Sequence, residues 1–260
     1  MNRETILNLP SMPSVGSSYP KGPYRFVSRE YMIVTYESDP NAIRFHLPEP
    51  LEPAPGSLVS YEFMKMPDSS GFGDYCESGV VIPALLNGEE VSFISQMYLD
   101  DEPPISGGRE VWGFPKKYAN PKLEIIHDTL TGTLDYAGSR VAMGTMTYKQ
   151  ENLLTHWNAS DHTSCDPKVV EKKLGKKSCN LKLIPSVDGS LAIAQLVSYS
   201  MTDINVKGAW SGPARLHLVP HVNAPVADLP VKKIIGGSHF IADLTLPYGK
   251  VEVDYLKQGK

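Results

Sequence analysis

The stretch 129-TLTGTLDYAGSRVAMGTMTY-148 decides the fold class, because it has the pattern of two strands joined by a tight turn. Ala137, Gly138 and Ser139 are small residues, and glycine in particular is favoured in such turns. The segments on either side are rich in threonine and other residues common in strands. We therefore predict an antiparallel hairpin with strands at residues 129–136 and 140–148.

Strand patterns recur along the rest of the chain. Residues 58–66 place Val59, Tyr61 and Phe63 on one face and Ser60 and Glu62 on the other, since side chains alternate along a strand. The same alternation in 91–99 puts Phe93 and Met97 on one face. Strands are therefore predicted at 58–66 and 91–99, and further strands at 191–201, 214–219, 238–245 and 250–255.

Helices are predicted to be few and short. Asp39 before Pro40, and Asp166 before Pro167, each resemble an N-cap followed by proline at the first helical position. The 21 glycines and 22 prolines are spread throughout, which disfavours a bundle of long helices. No repeat or linker divides the chain. We predict one mainly β (α+β) domain over residues 1–260, largely antiparallel, with short peripheral helices and an extended arm at 1–20.

Composition excludes several classes of function. A formal charge of −4 gives no electrostatic basis for binding nucleic acid or an anionic membrane, and no apolar run has transmembrane length. Residues 1–10 lack the basic cluster and hydrophobic stretch of a secretory signal. Cys76, Cys165 and Cys179 are few and have no CxxC spacing, so we predict neither a disulfide scaffold nor a zinc site. A reducing cytoplasm is the expected compartment.

Two groups of polar residues are interpreted as structural. His217 and His221 are four apart, but Pro220 follows alternating leucines, which indicates a strand end rather than a metal-binding helix. We therefore predict no metal. A cluster of lysines is interpreted as the solvated face of a short helix and the loop after it; its members are Lys168, Lys172, Lys173, Lys176 and Lys177.

Two adjacent lysines suggest chemistry. Lys116 and Lys117 follow an apolar stretch that contains Trp112, Phe114 and Pro115. A low-dielectric setting pushes a lysine toward its neutral, nucleophilic form, which is what Schiff-base catalysis requires. The alternative is that both lysines are simply solvated at the end of a strand.

Three other charged residues lie among apolar neighbours. These are Arg29, Glu62 and Glu77, and each taken alone is more often a paired or surface charge. An arginine, two carboxylates and a desolvated lysine would together suit a keto-acid substrate. Distance along the sequence does not show whether they converge.

The chain as a whole resembles the acetoacetate decarboxylase family over roughly residues 18–257. The similar segments are KGPYRF at 21–26, REY at 29–31, SGFG at 70–73, ESG at 77–79, MYLDDEP at 97–103, GRE at 108–110, FPKK at 114–117, PKL at 121–123, GTLDY at 132–136, AWSGPARL at 209–216 and DLPVK at 228–232. So many collinear segments make the resemblance specific. One departure is Phe114, where well-known members have tyrosine.

The resemblance implies a function and a site. Lys116 corresponds to the Schiff-base lysine and Lys117 to its lysine neighbour, while Arg29, Glu62 and Glu77 correspond to polar residues of the active site. The implied reaction converts acetoacetate, a small β-keto acid, to acetone and CO2. The implied protein is a cone-shaped β-barrel that needs no cofactor and works in the cytoplasm as a homo-oligomer, commonly a dodecamer.

The residues also suggest how the lysine is activated. If the chain is extended after Pro115, Lys116 and Lys117 point to opposite faces. We then expect burial among Phe114, Met97 and Phe93 to lower the pKa of Lys116, with repulsion from Lys117 as the smaller cause.

Roles for the charged residues follow the same reasoning. We expect Glu77 to transfer protons, with Glu62 sharing that role or holding Arg29. Arg29 is expected to form a network with Glu77, because tight binding of the departing carboxylate would oppose catalysis.

Two rival functions stay open at this stage. Relatives on the same scaffold can run other Schiff-base reactions, such as aldol condensation of pyruvate with aldehydes followed by dehydration. A noncatalytic barrel that binds keto acids is the other alternative. The presence of both glutamates, the arginine and the lysine pair favours decarboxylation.

Overall fold

The computed structural model describes residues 1–154 and 167–257, and most of them form β-strands. The strands, in chain order, are β1 (Tyr24–Glu37), β2 (Glu52–Pro53), β3 (Leu58–Ser69), β4 (Gly73–Leu86), β5 (Glu89–Leu99), β6 (Lys116–Tyr118), β7 (Asn120–Ile126), β8 (Thr129–Tyr136), β9 (Ser139–Thr147), β10 (Glu151–Asn152), β11 (Ser178–Pro185), β12 (Leu191–Tyr199), β13 (Thr202–Gly212), β14 (Ala214–Leu218), β15 (Lys233–Leu246) and β16 (Lys250–Asp254).

The strands form a large sheet and a smaller one. In the large sheet the order is β10-β13-β15-β1-β3-β4-β5-β11-β12-β16, with β2 paired to β4 and β6 paired to β5. The pairs of β5 with β6 and with β11 are parallel, and the neighbouring pairs along the sheet are antiparallel. The smaller sheet has the order β14-β9-β8-β7. The prediction of a mainly β, largely antiparallel fold is confirmed.

The hairpin predicted at residues 129–136 and 140–148 forms the centre of the smaller sheet. Strands β8 and β9 pair antiparallel, and Ala137 and Gly138 between them have φ values of 49° and 81°. Two positive φ values are typical of a type I′ turn, whose twist matches that of the strands. Gly132 and Gly144 lie opposite each other in this hairpin. A Cβ atom at Gly144 would lie 2.7 Å from the Phe63 ring, so the glycines let the small sheet pack closely on β3.

The two faces of β3 serve different purposes. Val59, Tyr61 and Phe63 are fully buried in the core between the two sheets, whereas Ser60 and Glu62 face a cavity on the other side. The predicted alternation along residues 58–66 is therefore confirmed.

The predicted alternation along 91–99 is wrong. The register of β4 against β5 shifts so that Val80 pairs with Gln96 and Val81 pairs with Ile94, which leaves Ser95 as a bulge. A bulge exchanges the faces of the residues on either side of it. Phe93 consequently lies in the core with Val59, while Met97 lies on the cavity side.

Four short helices accompany the sheets in the described residues: α1 (Arg3–Leu7), α2 (Pro40–His46), α3 (Glu102–Gly107) and α4 (Pro167–Leu174). The predicted cap of α2 is confirmed, since the Asp39 carboxylate accepts hydrogen bonds from the backbone of Asn41 and Ala42. Helix α4 begins at the predicted proline, but Asp166 and Cys165 lie outside the described residues. Within the described ranges, no helix has the length and hydropathy needed to cross a membrane.

The first twenty residues are not an extended arm throughout, as we expected. Residues 3–7 form α1, where Asn2 accepts a hydrogen bond from the backbone of Thr5. Asn2 thus serves as an N-cap that was not anticipated. Further along, the buried Tyr19 packs on Gly107 and donates a hydrogen bond to Glu110. The segment is thus attached to the chain just before the two lysines.

Candidate active site

A cavity of about 250 Å³ lies on one side of the large sheet, and residues of strands β1, β3, β4, β5, β6, β11, β12 and β15 and of helix α4 line it. The four residues predicted to be catalytic all line it: Arg29 on β1, Glu62 on β3, Glu77 on β4 and Lys116 on β6. The fold therefore brings together residues that are far apart in the sequence; Arg29 and Lys116 are separated by 87 positions.

Lys116 and Glu77 form a buried pair within this cavity. The Lys116 Nζ atom lies 3.4 Å from Oε2 of Glu77, and the two side chains are 7% and 3% exposed. Strand β6 positions the lysine by pairing in parallel with β5, with Lys116 beside Met97. Met97 in turn pairs with Gly79, two residues beyond Glu77 on β4.

The backbone before β6 makes room for the lysine. Residues Gly108–Trp112 form a π-helical turn, which ends at Gly113 in the left-handed region with φ of 72°. Such turns are rare and are frequently found at functional sites. A Cβ atom at Gly108 would lie 2.8 Å from Cδ of Lys116. Arg109 then donates a hydrogen bond of 3.1 Å to the carbonyl oxygen of Lys116. Sequence reasoning missed both Gly108 and Arg109 as site residues.

The two lysines point in opposite directions, as predicted from an extended chain after Pro115. Lys116 is buried, whereas Lys117 is exposed and donates a hydrogen bond of 2.8 Å to the carbonyl oxygen of Asn223. Only the first lysine therefore reaches the cavity.

The pKa of Lys116 is lowered from its ordinary value, chiefly by burial. The negative charge of Glu77 opposes this shift, and the positive charge of Arg29 adds to it. Burial as the dominant cause agrees with our expectation. The repelling charge was assigned wrongly, because it comes from Arg29 inside the cavity and not from Lys117, which points away.

Aromatic rings surround the lysine amine. Nζ of Lys116 lies 5.0 Å from the centroid of the Phe114 ring and 6.0 Å from that of Tyr75. Phe114 and Met97 both line the cavity, as expected, but Phe93 does not. Phe93 was misplaced because the bulge at Ser95 turns it into the opposite core.

Arg29 is held mainly by apolar and aromatic contacts. Its guanidinium lies 4.6 Å from the ring centroid of Tyr31 and 5.4 Å from that of Phe26, and its Nη2 donates to Sδ of Met64. Among the described residues, its buried Nε has no hydrogen-bond partner. Within the part of the chain described, Arg29 and Glu77 share no hydrogen bond or ion pair, and the interaction between them is one of charge.

Glu62 has an acidity unlike that of an ordinary carboxylate. Burial raises its pKa to about 7, although the positive charge of Arg29 opposes the shift. The negative charge of Glu77 contributes to the rise. A carboxyl group with this pKa can both donate and accept a proton near neutral pH.

Helix α4 and the loop after it supply two lysines that the sequence analysis placed on a solvated surface. Lys173 and Lys176 both line the cavity, together with Leu174. Val170, Lys173 and Leu174 are three and four residues apart, so they share one face of the helix, and that face turns toward the cavity. This spacing was the available signal, and the high lysine content concealed it.

The described residues contain no group of three His, Cys, Asp or Glu side chains placed to hold a metal ion. The polar groups of the cavity are instead two carboxylates, a guanidinium and lysine amines. Such a set suits covalent chemistry on a carbonyl compound that carries a carboxylate.

Comparison with known proteins gives the family. The sequence model of the family described as "Acetoacetate decarboxylase (ADC)" matches residues 8–256. An acetoacetate decarboxylase of Acidiphilium cryptum is 54% identical over 254 residues, which cover 98% of this chain and 97% of that one. Among solved structures, the acetoacetate decarboxylase of Legionella pneumophila is 47% identical with a TM-score of 0.87, covering 96% of this chain and 94% of that one. A second structure of an acetoacetate decarboxylase is 42% identical with a TM-score of 0.91, covering 99% and 100%.

Proposed function

Since the chain belongs to the acetoacetate decarboxylase family, we propose that it converts acetoacetate to acetone and CO2 through a Schiff base on Lys116. The observation that supports this most strongly is the burial of the Lys116 amine 3.4 Å from Glu77. Burial lowers the pKa of the lysine and so favours the neutral form that attacks a ketone. This way of activating a lysine is already known from acetoacetate decarboxylases themselves.

Loss of CO2 from a β-keto acid leaves an electron pair on carbon, and the imine accepts it. Neutral Lys116 attacks the ketone carbon, and the resulting carbinolamine takes up a proton from solvent and loses water to give a protonated imine. The carbon–carbon bond to the carboxylate then breaks, CO2 leaves, and its bonding electrons flow to the imine nitrogen to give an enamine. Protonation of the enamine carbon and addition of water release acetone and restore the amine.

Glu77 is the proposed proton carrier at the nitrogen. Its Oε2 atom is 3.4 Å from Nζ, close to hydrogen-bond reach, and the pair is shielded from water. During carbinolamine formation it accepts the proton that the attacking amine releases. It passes that proton to the carbinolamine oxygen, which takes up a second proton from solvent before it leaves as water.

Glu62 is the proposed acid that protonates the enamine carbon. Its pKa of about 7, raised by burial, leaves it protonated in a substantial fraction of molecules at neutral pH. An ordinary carboxylic acid would be almost fully ionised at that pH and could not donate. The two glutamates thus have different roles in one cavity.

Arg29 is proposed to tune the charges rather than to dock the substrate carboxylate. It helps to keep Lys116 neutral and opposes the rise of the Glu62 pKa. Phe26, Tyr31 and Phe114 meanwhile give the cavity an apolar lining. An apolar lining favours breakdown of a charged carboxylate to neutral CO2.

The direct test of this function is product analysis with purified protein. Acetoacetate should yield acetone and CO2 in equal amounts, Lys116→Gln should abolish the reaction, and Lys117→Gln should retain most of it. Condensation of pyruvate with an aldehyde, without gas release from acetoacetate, would instead assign the chain to the aldolase-type reactions. No turnover of either substrate would favour a keto-acid binding protein.

We also propose that the protein works in the cytoplasm as a homo-oligomer, with the dodecamer implied by its family resemblance as the expected size. Ile125, Ile126 and Met143 on the smaller sheet are exposed apolar side chains that an assembly would cover. Sedimentation or light scattering measures the size, and a monomer at micromolar concentration would contradict the proposal.

A further inference from the structure

Lys173 lies at the mouth of the cavity. It is on the last turn of α4, lines the cavity with Leu174, and remains accessible to solvent. Its Nζ atom is 5.7 Å from the centroid of the Phe240 ring, which also lines the cavity. The ammonium therefore lies where bulk water and the cavity meet.

The charges inside the cavity create a problem for an anionic substrate. Glu62 and Glu77 contribute two carboxylates when both are ionised, Arg29 contributes one positive charge, and the reactive Lys116 must be neutral. With both glutamates ionised, these groups sum to one negative charge, which would repel the substrate carboxylate. Adding the ammonium of Lys173 brings the site to neutrality.

Lys176, another lysine that lines the cavity, is already paired with a carboxylate. Nζ of Lys176 forms an ion pair of 3.0 Å with Oε2 of Glu90, so its charge is largely neutralised. In the part of the chain that the structure describes, no carboxylate lies within ion-pair distance of Lys173. Among the described residues, its charge is therefore not neutralised by an ion pair.

We propose that Lys173 is the specificity residue that captures the carboxylate of the β-keto acid at the mouth of the cavity and offsets the two glutamates within it. This inference rests on the proposed function and adds a residue and a step to it. Attraction at the mouth raises the local concentration of the anion and its rate of capture, and salt weakens that attraction.

Lys173 also acts on Glu62 by charge. The pKa of Lys173 is lowered by burial, while the charge of Glu62 raises it; in return Lys173 favours the ionised form of Glu62. The other charged groups that act on Glu62 are Arg29 and Glu77. Removal of Lys173 should therefore raise the pKa of Glu62, and a purely structural role of the lysine would not cause this shift.

Three variants test the capture role. Lys173→Gln removes the charge, Lys173→Arg retains it, and Lys172→Gln removes an exposed charge from the same helix as a matched control. At low ionic strength we expect Lys173→Gln to lower kcat/KM for acetoacetate about three- to tenfold, mostly through KM. The deficit should shrink in high salt, Lys173→Arg should restore activity, and Lys172→Gln should behave as wild type.

An uncharged ketone separates this inference from the proposed function. Acetone with borohydride should inactivate Lys173→Gln as fast as it inactivates wild type, because capture of a neutral ligand needs no cation. The inference is overturned if Lys173→Gln matches wild type at low salt, or if Lys172→Gln loses as much as Lys173→Gln.

A third outcome would concern the proposed function instead. If acetone and borohydride fail to inactivate even the wild type, the Schiff-base function is wrong. The capture role is then judged by calorimetric affinity for acetoacetate. Weaker binding by Lys173→Gln than by Lys172→Gln supports it, and equal binding overturns it.

Discussion

Gly108 leaves the space that the side chain of Lys116 occupies on its way into the cavity. A Cβ atom at this glycine would lie 2.8 Å from Cδ of the lysine, 3.0 Å from Cε and 3.3 Å from Nζ. Gly108 has φ of −61°, which any residue adopts, so space and not backbone conformation requires the glycine. Chemistry at Lys116 thus depends on a residue with no functional group.

Gly108→Ala should therefore reduce catalysis while leaving the fold intact. The added methyl group must push the lysine side chain aside, and displacement of a reacting atom by about 1 Å can reduce the rate about 100-fold. We expect kcat to fall roughly 10- to 100-fold with little change in the melting temperature.

The matched control for this variant is Gly236→Ala on β15. A Cβ atom there would meet no atom within 4 Å, so the activity should stay at the wild-type level. Equal activity of Gly108→Ala and Gly236→Ala would show that the close approach at Gly108 does not matter.

The pKa of Lys116 should respond to Arg29 and not to Lys117. The charge of Arg29 lowers the lysine pKa from within the cavity, after the larger effect of burial, whereas Lys117 points to Asn223. Imine formation requires the neutral amine, so borohydride inactivation with acetone should rise with pH through this pKa. The rise should occur at higher pH in Arg29→Gln and stay unchanged in Lys117→Gln. A large upward shift in Lys117→Gln would reverse this assignment.

Glu62 should determine the alkaline side of the pH profile. Its pKa is raised to about 7 by burial, and the proposed role needs the protonated form. The rate of turnover should consequently decline above about pH 7 in wild type. Glu62→Gln should lose that decline and lower kcat by about 100-fold or more, the usual contribution of a general acid. A decline that persists unchanged in Glu62→Gln would identify a different acid.

The same carboxyl group should make stability depend on pH. The pKa of Glu62 is raised by burial from 4.5 to about 7, so the folded state binds the proton more tightly than the unfolded state. Stability from this group is therefore lost as pH rises from about 4.5 to 7, by about 3 kcal/mol in total. The free energy of unfolding, measured by denaturant titration at a series of pH values, should fall with pH in wild type more steeply than in Glu62→Gln over that range. Parallel pH dependence of the two proteins would contradict the raised pKa.

Some features of the site could be predicted from sequence because a simple period governs them. Strand alternation placed Glu62 on the face opposite Val59, Tyr61 and Phe63, and it separated Lys116 from Lys117. Both segments are regular at these positions, so local geometry decides where the side chains point.

Other features depend on irregular backbone or on tertiary contacts. The bulge at Ser95 reversed the face of Phe93, and no residue in that strand signals it. Strand β1 was not predicted because consecutive residues from Tyr31 to Val34 are all buried, which hides the alternation. Lys173 was assigned to a solvated face alone, because the high lysine content of the segment concealed the spacing of Val170, Lys173 and Leu174 on the face toward the cavity.

The central claim is that Lys116 forms a covalent imine with the substrate. Acetoacetate with borohydride should reduce this imine and leave an isopropyl group on Nζ of Lys116, which peptide mass spectrometry locates. Activity should be lost in proportion to that labelling, and Lys117 should carry no label. Unlabelled Lys116 in a protein that still releases acetone and CO2 would contradict the account.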